Sequence, residues 1–153
     1  MRYTGAMPQR PPIPNRNRPA SNPTAAKSQQ LFAQGLTLHQ RGQLIEAASF
    51  YEQALKVEHT HFDSLHLLGI IAAQTNNHQR AVDLIERAIK INPTHALAYY
   101  NLGIAMQELK QLDAAVASYD KAIAINPDYA AAYSNRGVAL KELKQLEIGR
   151  AHV

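Results

Sequence analysis

Apolar residues in this chain recur three and four positions apart, in short stretches separated by polar breaks, which is the spacing of amphipathic helices. Leu31, Phe32, Gly35, Leu36, Leu38 and His39 form one stretch, and Leu44, Ala47, Ala48, Tyr51, Ala54 and Leu55 the next, with Gly42 marking the turn between them. Carried along the sequence, the pattern predicts helices over 28–41, 44–57, 62–75, 78–91, 96–109, 112–125 and 130–143. The chain is therefore expected to be all-α and assembled from helix pairs.

The pairs are copies of one another. A shift of 34 residues superimposes Gly35, Gly69, Gly103 and Gly137, then Ala47, Ala81 and Ala115, then Ala54, Ala88 and Ala122. Asn92-Pro93 falls on Asn126-Pro127, and Leu31, Leu65, Tyr99 and Tyr133 share one large apolar position. The units are 28–61, 62–95 and 96–129, followed by an incomplete fourth from Ala130. Numbered from one within a unit, glycine stands at position eight, alanine at twenty and twenty-seven, and proline at thirty-two. With this period and spacing the chain resembles the tetratricopeptide repeat (TPR) family from about Ser28 to Leu146. The resemblance implies an α-solenoid of antiparallel helix pairs, about three and a half repeats in a right-handed superhelix, whose first helices line a concave face.

Each repeated residue has a mechanical reason. Glycine at position eight lets the second helix of a unit approach the first, and the two alanines do the same from the other side. Tyr51, Ile85 and Tyr119 are expected to fill the space between units. Pro93 and Pro127 push Asn92 and Asn126 out of helical conformation and so end the second helices. Thr60, Thr94 and Asp128, all at position thirty-three, are expected to cap the next helix, a role worth about 1 kcal/mol each. Unit one has Glu58-His59 where the others have Asn-Pro, leaving its exit turn less specified.

In the TPR family the concave face usually holds an extended peptide or a helix. Asn101 and Asn135 both occupy position six, and a side-chain amide can donate to a peptide carbonyl while accepting from a peptide N–H. The TPR region of the O-linked N-acetylglucosamine transferases is understood to hold extended substrates in this way; here the ladder is short, because Ala33 and Leu67 occupy the matching positions. The resemblance adds positions two, five, nine, twelve and thirteen to the face. These are Asp63, His66, Ile70, Ala73 and Gln74 in unit two, and Leu97, Tyr100, Ile104, Gln107 and Glu108 in unit three. Unit four supplies Ala131, Ser134, Val138, Lys141 and Glu142. This mixture of aromatic, aliphatic and polar groups suits a peptide better than a phosphate backbone. A clamp for a terminal carboxylate would need Lys, Arg and Asn where Phe32, Leu36, Leu97 and Ala131 stand, so that specialised role is not expected. The reading is a protein–protein interaction scaffold; the alternative is the substrate-recruiting N-terminal part of a larger, O-linked N-acetylglucosamine transferase-like glycosyltransferase.

Composition narrows this further. The chain has no cysteine, no glycine-rich phosphate loop, no HExxH and no serine or lysine in a nucleophile setting, so neither catalysis nor a cofactor is expected in it. His59, His61 and His66 are near in sequence, but without supporting carboxylates no metal site is expected. The net charge of +4 is misleading as an average, because Arg2, Arg10, Arg16, Arg18 and Lys27 fall within 1–27 with no acid, and removing them leaves the remainder near −1. A uniformly basic nucleic-acid surface is not indicated. Residues 1–27 hold six of the eight prolines and are expected to be a disordered, solvated leader, with an SH3-type polyproline ligand or a phosphate-touching arm as the functional alternative. No apolar run approaches the ~20 residues that span a bilayer, and no secretory signal is present, so a cytoplasmic location is expected. Finally, 147–153 (EIGRAHV) resembles a translated sequencing adapter and is expected to be a non-native tail on a truncated frame. The last helix would then lack a polar cap and favour self-association.

Overall fold

The computed structural model describes residues 22–152. The leader expectation lies outside these residues as far as residue 21. Among the described residues there are helices and no strand: α1 (Pro23–Gln40), α2 (Leu44–Val57), α3 (Phe62–Gln74), α4 (His78–Ile91), α5 (Ala96–Glu108), α6 (Leu112–Ile125) and α7 (Ala130–Ala151). Consecutive helices pack on each other, and the first helices of neighbouring units also touch, α3 with α5 and α5 with α7.

Two ends depart from the periodicity. α1 begins at Pro23, five residues inside the expected leader. Asn22 Oδ1 accepts from the Thr24 N–H at 3.1 Å, and Pro23 sits in the first turn, where a missing N–H costs nothing. α7 continues to Ala151, through most of the stretch expected to be a non-native tail, because its residues are mostly tolerable helix formers even though the repeat pattern has gone. It leaves Tyr133, Leu140, Leu146 and Ile148 exposed.

The turn between paired helices needs a left-handed residue at position fifteen. Gly42 (φ 76°), Asn76 (φ 62°) and Lys110 (φ 61°) supply it in units one to three, and only glycine adopts it without steric cost. Replacing Lys110 with glycine should therefore raise stability by about 1 kcal/mol in a urea titration. The lost ion pair to Glu142, 3.4 Å long and made by an exposed lysine, offsets little of that gain. An unchanged or lower midpoint would mean that the left-handed turn carries no strain.

Within each pair the glycine and alanine positions set the helix separation. Ala47, Ala54, Ala81, Ala88, Ala115 and Ala122 are completely buried. A Cβ built on Gly35 would lie 2.7 Å from Tyr51 Cε1, on Gly69 2.7 Å from Ile85 Cγ1, and on Gly103 2.5 Å from Tyr119 Cε1. Tyr51, Ile85 and Tyr119 thus lie over the glycine of their own unit, and each also belongs to a buried cluster that continues into the next unit. Tyr119 packs there with Ala139.

The caps also differ from expectation. His61 and His95, one residue later than Thr60 and Thr94, cap α3 and α5: His61 Nδ1 accepts from the Ser64 N–H and His95 Nδ1 from the Ala98 N–H, each at 3.2 Å. Thr94 and Asp128 instead donate their backbone N–H groups to Asn92 and Asn126 Oδ1, both at 3.2 Å, closing the turns around the prolines. In unit one, Ser28 Oγ donates to the Glu58 carboxylate and ties the exit of α2 to α1.

Candidate functional site

Positions five, nine and twelve are spaced four and three residues apart, so they fall on one side of each first helix. Side-chain bonds between units show that this side is the shared surface of α1, α3, α5 and α7. Asn101 Nδ2 donates to His66 Nε2 at 3.0 Å, and Asn135 Nδ2 donates to the Tyr100 hydroxyl at 3.0 Å. Two turns further along, His39 Nε2 meets Gln74 Oε1 at 3.2 Å, and Gln107 Nε2 donates to Glu142 Oε1 at 3.3 Å. Positions five and twelve of one unit therefore bond to positions six and thirteen of the next. Between the two rows runs position nine: Leu36, Ile70 and Ile104 are half-buried and Val138 is exposed.

The expected Asn pair is present, yet each amide already spends one N–H on the preceding unit. Its Oδ1 and second N–H are what remain for a ligand. His66, expected as a groove contact, is instead buried at 4% exposure. Its ring centroid lies 5.7 Å from Phe62 and 5.3 Å from His95. Burial lowers its pKa to about 4, with the neighbouring His95 adding to the effect and Asp63 opposing it. The imidazole is neutral at pH 7, so Nε2 is free to accept from Asn101. Tyr100 is half-buried, its ring 6.0 Å from Tyr119 and 5.0 Å from Tyr129. Leu97 and Val138 are 44% and 50% exposed, and Asp63, Gln74, Glu108, Ser134 and Lys141 are exposed as well.

The sequence reading missed the groups that fix these side chains. Position thirty-four carries a ring in every complete unit, namely His61, His95 and Tyr129, and each leans on the face. His95 packs 4.9 Å from Phe62, and His61 lies 5.3 Å from Phe32. The recurrence of a ring at that position was the available signal. Burial also raises the pKa of Tyr51 and of Tyr119 to about 12, aided at Tyr119 by Tyr100, so both hydroxyls stay protonated as donors. The Tyr119 hydroxyl donates to Gln107 Oε1 at 2.8 Å.

Two of the three histidines considered for a metal have other partners. His61 uses Nδ1 as a cap and directs Nε2 to Gln29 Oε1 at 3.2 Å, while His66 is held by Asn101. Among the described residues no three metal-ligating side chains converge, and no helix is long and apolar enough to cross a membrane. On the opposite side a cleft of about 350 Å³ lies among α2, α3 and α4, bordered by Leu44, Ile45, Leu68 and Ile71 and by the Arg80–Glu52 pair at 2.8 Å.

Four models described as tetratricopeptide or TPR repeat match residues 31–60, 62–95, 84–117 and 107–144. No curated protein matches the sequence. Among solved structures, an O-GlcNAc transferase of Thermobaculum terrenum is 26% identical with a TM-score of 0.73, over 79% of this chain and 23% of that one. The chain therefore spans about a quarter of that enzyme. MamA is 27% identical with a TM-score of 0.74, over 76% of this chain and 68% of that one. The first TPR of Spaghetti (RPAP3), bound to an HSP90 peptide, shares the fold at a TM-score of 0.76 with 18% identity, over 78% of this chain and 94% of that one.

Proposed function

The chain belongs to the tetratricopeptide repeat family, and on that premise we propose that it is a protein-interaction module whose first-helix face receives an extended peptide. The observation that carries this reading is the aliphatic strip at position nine, half-buried at Leu36, Ile70 and Ile104 and exposed at Val138, bracketed by hydrogen-bonded polar rows. Apolar side chains of a ligand bury against the strip. Its backbone meets the unspent amide groups of Asn101 and Asn135. The structure of the RPAP3 relative with a peptide bound supports the reading at the level of the fold. No step of this role needs a catalytic group, a cofactor or a nucleic acid, and a cytoplasmic setting would suit it.

Tyr100, Asn101 and Asn135 brace the helices against each other, so replacing them would disturb fold and binding together. Leu97 and Val138 are cleaner probes, being exposed. Peptides selected on the wild-type protein from a random dodecapeptide display library should bind the double variant Leu97→Asp, Val138→Asp at least tenfold more weakly by fluorescence anisotropy, a loss of about 1.4 kcal/mol or more. The melting temperature should stay within a few degrees. Equal binding by both proteins would remove the first-helix face as the site.

A second reading is that this module is the substrate-holding arm of a larger glycosyltransferase, supported by the 26% identity to the Thermobaculum terrenum enzyme and by the Asn pair. The 27% identity to MamA supports a non-enzymatic setting to the same degree. Reading the gene across the codon of Leu146 separates them. A nucleotide-sugar-binding domain downstream favours the enzyme, and a polar capping helix followed by a stop removes it.

A further inference from the structure

The cleft among α2, α3 and α4 has a counterpart one unit further on, among α4, α5 and α6, and the two differ in what fills them. Position eleven is Leu38, Met106 and Leu140 in units one, three and four, but Ala72 on the wall of the cleft. Position fourteen is Leu109 one unit on and Thr75 here, and position twenty-one is Val82 there and Ala48 here. Met106 and Leu109 pack against the core, and Met106 Sδ accepts from Ser118 Oγ at 3.5 Å. Ile71, where Ala105 stands one unit on, takes up part of the missing volume, and about 350 Å³ stays open. The mouth changes in the same sense. Position eighteen is Gln79 in unit two and Asp113 in unit three, whereas in unit one it is Ile45, bordering the cleft and 84% exposed. The polar counterparts show that the fold needs no apolar side chain there.

The polar groups at the border each have a partner within the chain. Ser49 Oγ accepts from Gln53 Nε2 at 3.3 Å, Thr75 Oγ donates to the Ile71 carbonyl at 2.9 Å, and Asn77 Oδ1 accepts from the Arg80 N–H at 3.3 Å. Arg80 and Glu52 hold each other. A small-molecule site fixes its ligand with a few polar groups that converge on it, whereas these are exposed and form a rim. An apolar floor inside a polar rim is the layout of a pocket that receives an anchoring side chain across a protein interface. The truncated residues also set a spacing. Ala72 and Thr75 are three positions apart, one helical turn, which separates Cβ atoms by about 5–6 Å. Two aliphatic side chains one turn apart on a partner helix have that same separation.

We propose that this cleft is a second docking site, and that its occupant is an amphipathic helix of another protein. The helix inserts a leucine or methionine and a second aliphatic side chain one turn away, replacing what Met106 and Leu109 provide one unit on, and Ile45 lies against its apolar flank. Because the cleft is separate from the first-helix face, one chain holds two partners at once.

The test uses the full chain carrying Leu97→Asp and Val138→Asp, which takes the first-helix face out of competition. Peptides selected on it from a random dodecapeptide display library should carry aliphatic residues three or four apart. Two cleft variants copy residues that the fold already accepts in later units. Ala72→Met with Thr75→Leu fills the cleft, and Ile45→Asp places at its mouth the acid that Asp113 supplies in the first turn of α6. Either should weaken the selected peptides at least tenfold by fluorescence anisotropy; should the filled protein fail to fold, Ile45→Asp decides alone. In methyl spectra the peptides should shift Ile45 and Ile71 and spare Ile104 and Ile125. A library that yields no binder, or binders that lack that spacing or ignore the variants, overturns the proposal. Shifts of Ile45 and Ile71 on tenfold concentration of the free protein overturn it as well, because the occupant is then a second copy. The first-helix reading is judged separately, on Leu97 and Val138 with peptides selected on the wild-type protein.

Discussion

Alanine at Gly103 should destabilise this protein by about 2 kcal/mol, and leucine there should prevent folding, whereas alanine at Gly137 should leave it intact or about 1 kcal/mol more stable. The two glycines occupy the same position of successive repeats. A Cβ on Gly103 would lie 2.5, 2.7 and 2.9 Å from Cε1, Cδ1 and Cζ of Tyr119, distances that no packed carbon tolerates. The ring has nowhere to go, since Tyr119 is completely buried and its hydroxyl is fixed on Gln107 Oε1 at 2.8 Å. α5 and α6 would have to separate, opening the contact around Ala115, which is also completely buried. A Cβ on Gly137 meets nothing within 4 Å, so only the helical preference of alanine over glycine is felt. Thermal melts of the two alanine variants beside wild type check this. Equal losses at both sites would place the cost in the backbone and not in the notch over Tyr119.

That contrast marks how far the sequence could be read. The period of 34, the glycine and alanine positions and the helix bounds of α2, α4 and α6 follow from local pattern, because each expresses a contact repeated identically in every unit. What escaped the pattern depends on a neighbour. Gly137 is spelled like Gly103, but no large side chain of a second helix covers it among the described residues. The start of α1 was hidden because Pro23 looks like the last of the leader prolines, although Asn22 in front of it is a capping residue. The caps at His61 and His95 were overlooked because imidazole is not among the preferred capping groups, and the threonine one residue earlier is. In the candidate groove, Asn101 and Asn135 were legible as a pair, whereas their commitments to His66 and Tyr100 were not. Those bonds cross between units, from position five to position six, and a reading made within one unit cannot see them.

Acid should weaken this protein through His66, by about 2 kcal/mol between pH 7 and pH 5 and by about 3 kcal/mol near pH 4. Its folded pKa of about 4 lies below the ordinary histidine value of 6.5, chiefly because the ring is buried. Between those two values the unfolded chain binds a proton that the native state refuses. The stability His66 confers is thus complete above pH 6.5 and is lost as the pH falls towards 4. The groups facing it act in both directions. His95, with its ring 5.3 Å away, opposes the charge, Asp63 favours it, and Phe62 supplies an apolar wall. Urea titrations at pH 7, 6 and 5 should show wild type losing about 2 kcal/mol more than His66→Gln, whose amide can still meet Asn101 but does not titrate. Parallel losses in the two proteins would mean that His66 is not held neutral by its surroundings. The outcome bears on the groove, since the His66–Asn101 bond joins the first helices of units two and three. A proton on Nε2 turns that acceptor into a donor facing the Asn101 N–H, and the amide must then rotate its Oδ1 inward. Acid would thereby withdraw from an incoming peptide the very acceptor that Asn101 has left to offer.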